Sequence, residues 1–121
     1  MSMWRNFSDN ELRCRCGCGQ LNPNPEFQTL MAIVQYIRER IGVPMPVASA
    51  YRCVNHPEER KKKKAGWHNI AAIDLKVSRG VAHQVLELAL ILGIKGIGIN
   101  QKGKHRFIHL DMRPERMIWS Y

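Results

Sequence analysis

The chain has 121 residues, 45% of them hydrophobic, and a formal charge of +9. That length fits a single domain, residues 1–121, with a core that needs no staples, and no apolar run approaches the roughly 18 residues of a membrane span. The positive balance favours an acidic or polyanionic partner, for which nucleic acid, an anionic cell wall and acidic lipid all qualify.

Residues 1–10 lack the basic and apolar regions of a secretory signal, so synthesis in the cytoplasm is expected, with another exit route needed for any action at a cell wall. Ser8 with Glu11 has the spacing of a capping box and predicts a short helical turn near Phe7. A Cys/Gly loop over Arg13–Gly19 and the breaker Asn22-Pro23-Asn24-Pro25 follow. Between Glu26 and Ile41, Phe27, Leu30, Met31, Val34, Ile37 and Ile41 recur at helical spacing, and Gly42 is the stop. Val47–Tyr51 reads as a strand entering an Arg52-Cys53 turn. Pro57–Lys64 reads as an exposed helix with Pro57 in its first turn. Ala71–Val77 reads as a buried strand. A second long helix starts at Ser78 or Arg79, with Val81, Val85, Leu88, Ala89 and Leu92 inward and Gly93 as its end. Strands over Gly96–Asn100 and Arg106–Met112 complete the set, joined by a turn at Lys102-Gly103-Lys104. The fold class is α+β, a small and mainly antiparallel sheet packed with helices.

His109 and Asp111 lie two apart on the last predicted strand and therefore share a face. Polar groups in an apolar strand are expensive unless something satisfies them. His68 and Asp74 form a second pair in a similarly apolar setting, and two such pairs point to a metal site. A straight strand from His68 to Asp74 would hold its ends roughly 20 Å apart. The chain must therefore fold back between them for the two to share an ion, which Gly66, Ala71 and Ala72 permit.

Val47-Ala48-Ser49-Ala50-Tyr51-Arg52-Cys53, then His68, Asp74, the Gly96-Ile97-Gly98-Ile99 segment and Phe107-Ile108-His109-Leu110-Asp111 together resemble the M15-type zinc peptidases. These are D-alanyl-D-alanine carboxypeptidases and phage endolysins, which share a metal site with the hedgehog signalling domain. The Phe7-to-Gly19 opening is similar to phage-encoded members. The resemblance implies Zn²⁺ held by His68, Asp74 and His109, with a further position left for water. Zinc takes imidazole and carboxylate ligands at about 2.0–2.2 Å, lowers the pKa of water and polarises a carbonyl, as amide hydrolysis requires. It implies that Arg52 faces the substrate, where its planar fork suits a peptide carboxylate or an oxyanion, with Ser49 and Tyr51 in the same substrate-binding region. Arg106 occupies the place, three residues before the second histidine ligand, where these peptidases often carry an acidic base. Asp111 and His105, on the His109 face, are then the candidates for moving a proton, and Asp111 also for orienting the His109 ring. His56 and His83 read as solvated.

Three readings of Cys14, Cys16, Cys18 and Cys53 stay open. One thiol of the Cys-x-Cys array can bond or pack against Cys53, several can bind a second zinc, or all are plain thiols, which a reducing cytoplasm favours. Lys61–Lys64 reads as a solvated face or as a positive rim attracting anionic wall polymer. No interleaved aromatics or reading helix support nucleic acid. The expected activity is hydrolysis of a peptide bond in the peptidoglycan stem by a monomer, of the D-Ala-D-Ala carboxypeptidase or L-alanyl-D-glutamate endopeptidase kind. The alternative is a catalytically idle, zinc-stabilised module that binds wall polymer or a protein partner.

Overall fold

The computed structural model describes residues 2–61 and 66–121. Apart from Lys61, which pairs with Glu58 at 3.6 Å, the four-lysine run lies outside the described residues. The order of elements is α1 (Asp9–Leu12), α2 (Pro25–Ile41), β1 (Val47–Ser49), α3 (Pro57–Arg60), α4 (Trp67–Ile70), β2 (Ala72–Leu75), α5 (Arg79–Ile91), β3 (Gly96–Asn100), β4 (Phe107–Asp111) and β5 (Met117–Ser120). No helix among the described residues is long and apolar enough to cross a membrane.

Local chemistry sets the helix ends. Ser8 and Glu11 form the reciprocal capping box of α1. Pro25 starts α2, where a missing N–H costs nothing, and Gly42 closes it in the left-handed region at φ 77°. The buried face of α2 is Phe27, Leu30, Met31, Val34 and Ile37, in line with the predicted stripe. For α5 the buried residues are Ala82, Val85 and Ala89. Leu92, expected inward, lies beyond the last turn and is exposed.

The five strands run in the order β1-β2-β4-β3-β5. Neighbours are antiparallel except β3 and β5, which are parallel. The α+β class with a mainly antiparallel sheet is thus as expected, with one parallel edge added. Strand β1 is shorter than predicted. At Ala50 the chain leaves the ladder, because the Ala50 carbonyl accepts from the His68 ring at 2.6 Å and the Arg52 N–H donates to the His68 carbonyl at 2.9 Å.

The register divides the sheet into two faces. Ile73, Leu110 and Ile97 align across β2, β4 and β3, as do Leu75, Ile108 and Ile99. Except for the partly buried Ile99, these side chains are buried in one apolar cluster with the inner faces of α2 and α5, and each such burial contributes about 1.5–3 kcal/mol. The intervening positions point the other way. Ser49, Asp74, His109, Gly98 and Trp119 make one row across all five strands, and Ala72, Asp111, Gly96 and Met117 make the next. This second face carries the polar site.

Candidate metal centre

Asp74 and His109 are direct cross-strand partners on β2 and β4, so their side chains stand together by register alone. His68 joins them from α4. The single turn of α4, continued through Ala71, folds the chain back over β2 and brings His68 Nε2 to 3.3 Å from Asp74 Oδ2. The required fold-back is therefore a helical turn. His109 Nδ1 lies 2.8 Å from Asp74 Oδ1, and His109 Nε2 lies 2.7 Å from Asp111 Oδ2. All four side chains are buried.

These contacts show which ring atoms face the prospective ion site. The Ala50 carbonyl only accepts, so His68 Nδ1 carries its hydrogen and Nε2 is left as donor atom. On His109, Nε2 faces Asp111 and Nδ1 faces Asp74, so Nδ1 is the nitrogen on the side of the other two ligand candidates. One donor atom from each of His68, Asp74 and His109 lies within 4.8 Å of the others. Two imidazole nitrogens and a carboxylate, with an outer carboxylate on one of the rings, are a donor set suited to a divalent metal ion such as zinc. The residues present fit the ion.

Without an ion, the same groups form a charge network. Burial alone raises the Asp74 carboxyl, but hydrogen bonds from His109 and His68 outweigh it and hold the group well below the usual carboxylate range. Burial likewise raises Asp111, and the bonds from His109 and Arg113 bring it down to about 2. Burial lowers His109, yet its bonds to Asp111 and Asp74 raise it above the ordinary imidazole value. A proton and a metal ion therefore compete for His109 Nδ1.

The cluster opens into a cleft of about 470 Å³ lined by Arg52, Gly66, Trp67, His68, Asp74, Phe107, His109, Arg113, Trp119 and Tyr121. Arg52 Nε is buried and has no hydrogen-bond partner among the described residues. The Asn69 amide donates to the Arg52 carbonyl at 2.9 Å and ties that turn to α4.

Other expected residues lie elsewhere. Asp111 is fully buried and does not line the cleft. Besides His109 it accepts from Arg113 Nε at 2.8 Å and Nη2 at 2.7 Å, so it is both the strand-end partner of Arg113 and the group that orients His109. His105 is exposed in the turn before β4, its carbonyl accepting from the Asn100 amide. Tyr51 is buried against Cys14 and Cys53 rather than facing the cleft. Ser49 is opposite Asp74 on β1 but outside the cleft lining. Arg106 turns away, its Nε donating to the Gly103 carbonyl at 3.1 Å. Asp74 is the one carboxylate among the described residues that lines the cleft. His56 caps α3, its Nδ1 accepting from the Glu58 N–H, and His83 is exposed on α5.

The cleft also holds an indole that sequence reasoning passed over. Trp119 packs its indole 5.2 Å from the His109 ring, and Arg113 stacks 4.6 Å above the same indole. Two glycines make room. A Cβ at Gly98 would stand 2.7 Å from the Trp119 indole, and one at Gly96 would collide with the Asp111 carboxylate. The Gly96-Ile97-Gly98 alternation was the available signal, since glycine within a strand marks a close approach. Trp119 and Tyr121, two residues apart, were another.

A buried His/Asp/His set able to hold a metal ion thus stands in an open cleft, beside an arginine whose Nε has no hydrogen-bond partner among the described residues. The sequence profile described as Peptidase M15 matches residues 5–111. The chain belongs to that family, whose peptidases are metal-dependent. A search of curated proteins gave no match.

Proposed function

We propose that the protein is a zinc-dependent peptidase that hydrolyses a peptide bond of the peptidoglycan stem, as a phage endolysin or a wall carboxypeptidase does. The observation that supports this most is the juxtaposition, in one cleft, of the His68–Asp74–His109 set with Arg52 and its unpartnered Nε. His68 Nε2, Asp74 and His109 Nδ1 would hold the zinc, which when bound would supply water activation and polarisation of the scissile carbonyl. Arg52 donates to a substrate carboxylate or to the oxygen on which negative charge develops, a contact that strengthens in the transition state. Asp111 acts through His109, holding its ring and tautomer. Trp67, Phe107, Trp119 and Tyr121 give the peptide apolar walls, and the net charge of +9 draws an anionic wall polymer toward the protein.

One observation favours a second reading. With Arg106 turned away and Asp74 taken by two histidines, the cleft offers no spare carboxylate among the described residues. A module that binds wall peptide without cutting it has the same geometry. Incubation of the zinc-loaded protein with purified peptidoglycan, with and without a chelator, separates the two. New stem-peptide termini that vanish with the chelator support the peptidase. Binding with intact stems supports the idle module.

A further inference from the structure

The second concentration of ligand-type side chains in the molecule is not in the cleft. Cys14, Cys16, Cys18 and Cys53 place their sulfurs within 4.8 Å of one another. Cys14 and Cys53 are buried, while Cys16 and Cys18 are exposed. Cys16 Sγ lies 3.4 Å from both Cys14 Sγ and Cys53 Sγ, and Cys18 Sγ lies 3.6 Å from Cys53 Sγ. In a tetrahedral zinc tetrathiolate with Zn–S of about 2.3 Å, the sulfurs stand about 3.8 Å apart. The observed separations are close to that edge length.

The arrangement is that of a cluster rather than of two pairs. Cys53 is nearly equidistant from Cys16 and Cys18, and Cys16 is shared between Cys14 and Cys53. Of the three ways to form two disulfides, two need a bond across a strained Cys-x-Cys stretch, and the third needs Cys14 to close on Cys18 within the same short loop. The backbone is shaped to turn the sulfurs inward. Cys14 N–H donates to the Gln20 carbonyl at 2.8 Å and closes the loop, and Gly17 at φ 106° and Gly19 at φ 67° supply the left-handed conformations that it needs. Backbone N–H groups are aimed at sulfur. Cys53 N–H donates to Cys14 Sγ and Gln20 N–H to Cys18 Sγ, each at 3.4 Å. Such donors favour thiolates, the form in which cysteine binds metal.

We propose that these four cysteines form a second metal site, a closed tetrathiolate that takes a thiophilic tetrahedral ion, zinc or ferrous iron, and has no open position for substrate. Its role is to staple. Three ligands come from the loop after α1 and the fourth from the turn carrying Arg52, so the ion ties the N-terminal segment to the rim of the cleft. Arg52 precedes Cys53 directly, and its N–H is already bonded to the His68 carbonyl. A fixed Cys53 therefore fixes the backbone from which the Arg52 guanidinium reaches into the cleft.

The test is a metal count on the full chain, purified under reducing, oxygen-free conditions from cells supplied with zinc and iron. Two ions per chain are expected, and elemental analysis states which metal fills the cysteine site. A Cys16→Ser, Cys18→Ser double variant should lose one equivalent, and His109→Ala the other. After exchange into cobalt, a thiolate-to-cobalt charge-transfer band should be present in the parent and in His109→Ala but absent from the double variant. If the double variant does not fold, thiol reactivity of the parent decides, since four thiols should be masked until a chelator is added. Four reactive thiols in the untreated parent, two disulfides by mass, or a single ion released only by His109→Ala would each overturn the proposal.

Discussion

The two ligand clusters are built in opposite ways. His68, Asp74 and His109 are held by the centre of the sheet. Two are paired across β2 and β4, the third sits on a helical turn bonded to Ala50, and Asp111, Arg113 and Trp119 buttress them from the same face. The cysteines hang on an irregular loop and a turn, joined to each other by little except sulfur contacts and a few backbone bonds. A site formed by register exists before the ion arrives, and the ion adds chemistry. A site formed by loops depends on its ion for shape, as small structural zinc sites do.

That contrast is broken most sharply at His109. His109→Ala should abolish metal binding in the cleft and reduce peptide hydrolysis to background, while the cysteine cluster keeps its ion. Elemental analysis with an activity assay checks this, and full retention of metal would remove the His/Asp/His assignment. The next largest effect belongs to Arg52. Arg52→Ala should cut turnover by about 100-fold, the scale of losing one oxyanion donor, with fold and metal content unchanged. Turnover within a few-fold of the parent would remove Arg52 from the groups that contact the substrate.

Asp111→Asn weakens the hold on the His109 ring and should lower metal affinity by about 10- to 100-fold, read by competition with a chromophoric chelator. His105→Ala, altering an exposed turn, should leave affinity and turnover near the parent values. A loss of activity in His105→Ala with zinc-loaded Asp111→Asn fully active would reverse these roles. Gly98→Ala should push the Trp119 indole off the His109 ring at a cost of about 1–3 kcal/mol, visible as a lower melting temperature and altered tryptophan fluorescence.

A smaller effect is a pH dependence of opposite sign with and without metal. In chelated protein the raised His109 pKa stabilises the fold fully below its unfolded value of about 6.5, and this contribution is lost as pH rises through the folded value. The depressed Asp74 and Asp111 contribute above about 3.9 and are lost as pH falls through their folded values. The contribution of these groups to stability in the metal-free protein should therefore peak between about pH 4 and 6.5. With zinc present the cleft groups should gain stability through neutral pH, because deprotonation frees His109 Nδ1. Melting curves that shift the same way with and without zinc would contradict the competition.

The two faces of the sheet also explain what the sequence made legible. Helix α2 and strands β3 and β4 carry strong apolar periodicity, and their predicted bounds agree with the structure to within a residue or so. The metal-capable residues stood out as polar exceptions on those strands, and the family resemblance ordered them into a ligand set. Residues set by tertiary contact did not stand out. α4 has four residues and no periodicity, and its place over β2 is marked only by tertiary contacts such as that of His68 with the Ala50 carbonyl. β5 is an exposed edge strand whose burial does not alternate, and its parallel pairing with β3 has no local signature. The family resemblance groups Tyr51 with the substrate-binding residues, but tertiary packing buries its ring against Cys14 and Cys53. Asp111 shared a face with His109 as alternation required, but only the structure shows that its oxygens are taken by His109 and Arg113.

The most direct measurement is hydrolysis of a synthetic peptidoglycan stem peptide by zinc-loaded protein, followed by mass spectrometry of the products. The account predicts cleavage of one peptide bond, abolished by a chelator, restored by added zinc and absent in His109→Ala. Intact stem peptide after incubation with protein whose cleft is shown to be filled with zinc would contradict it.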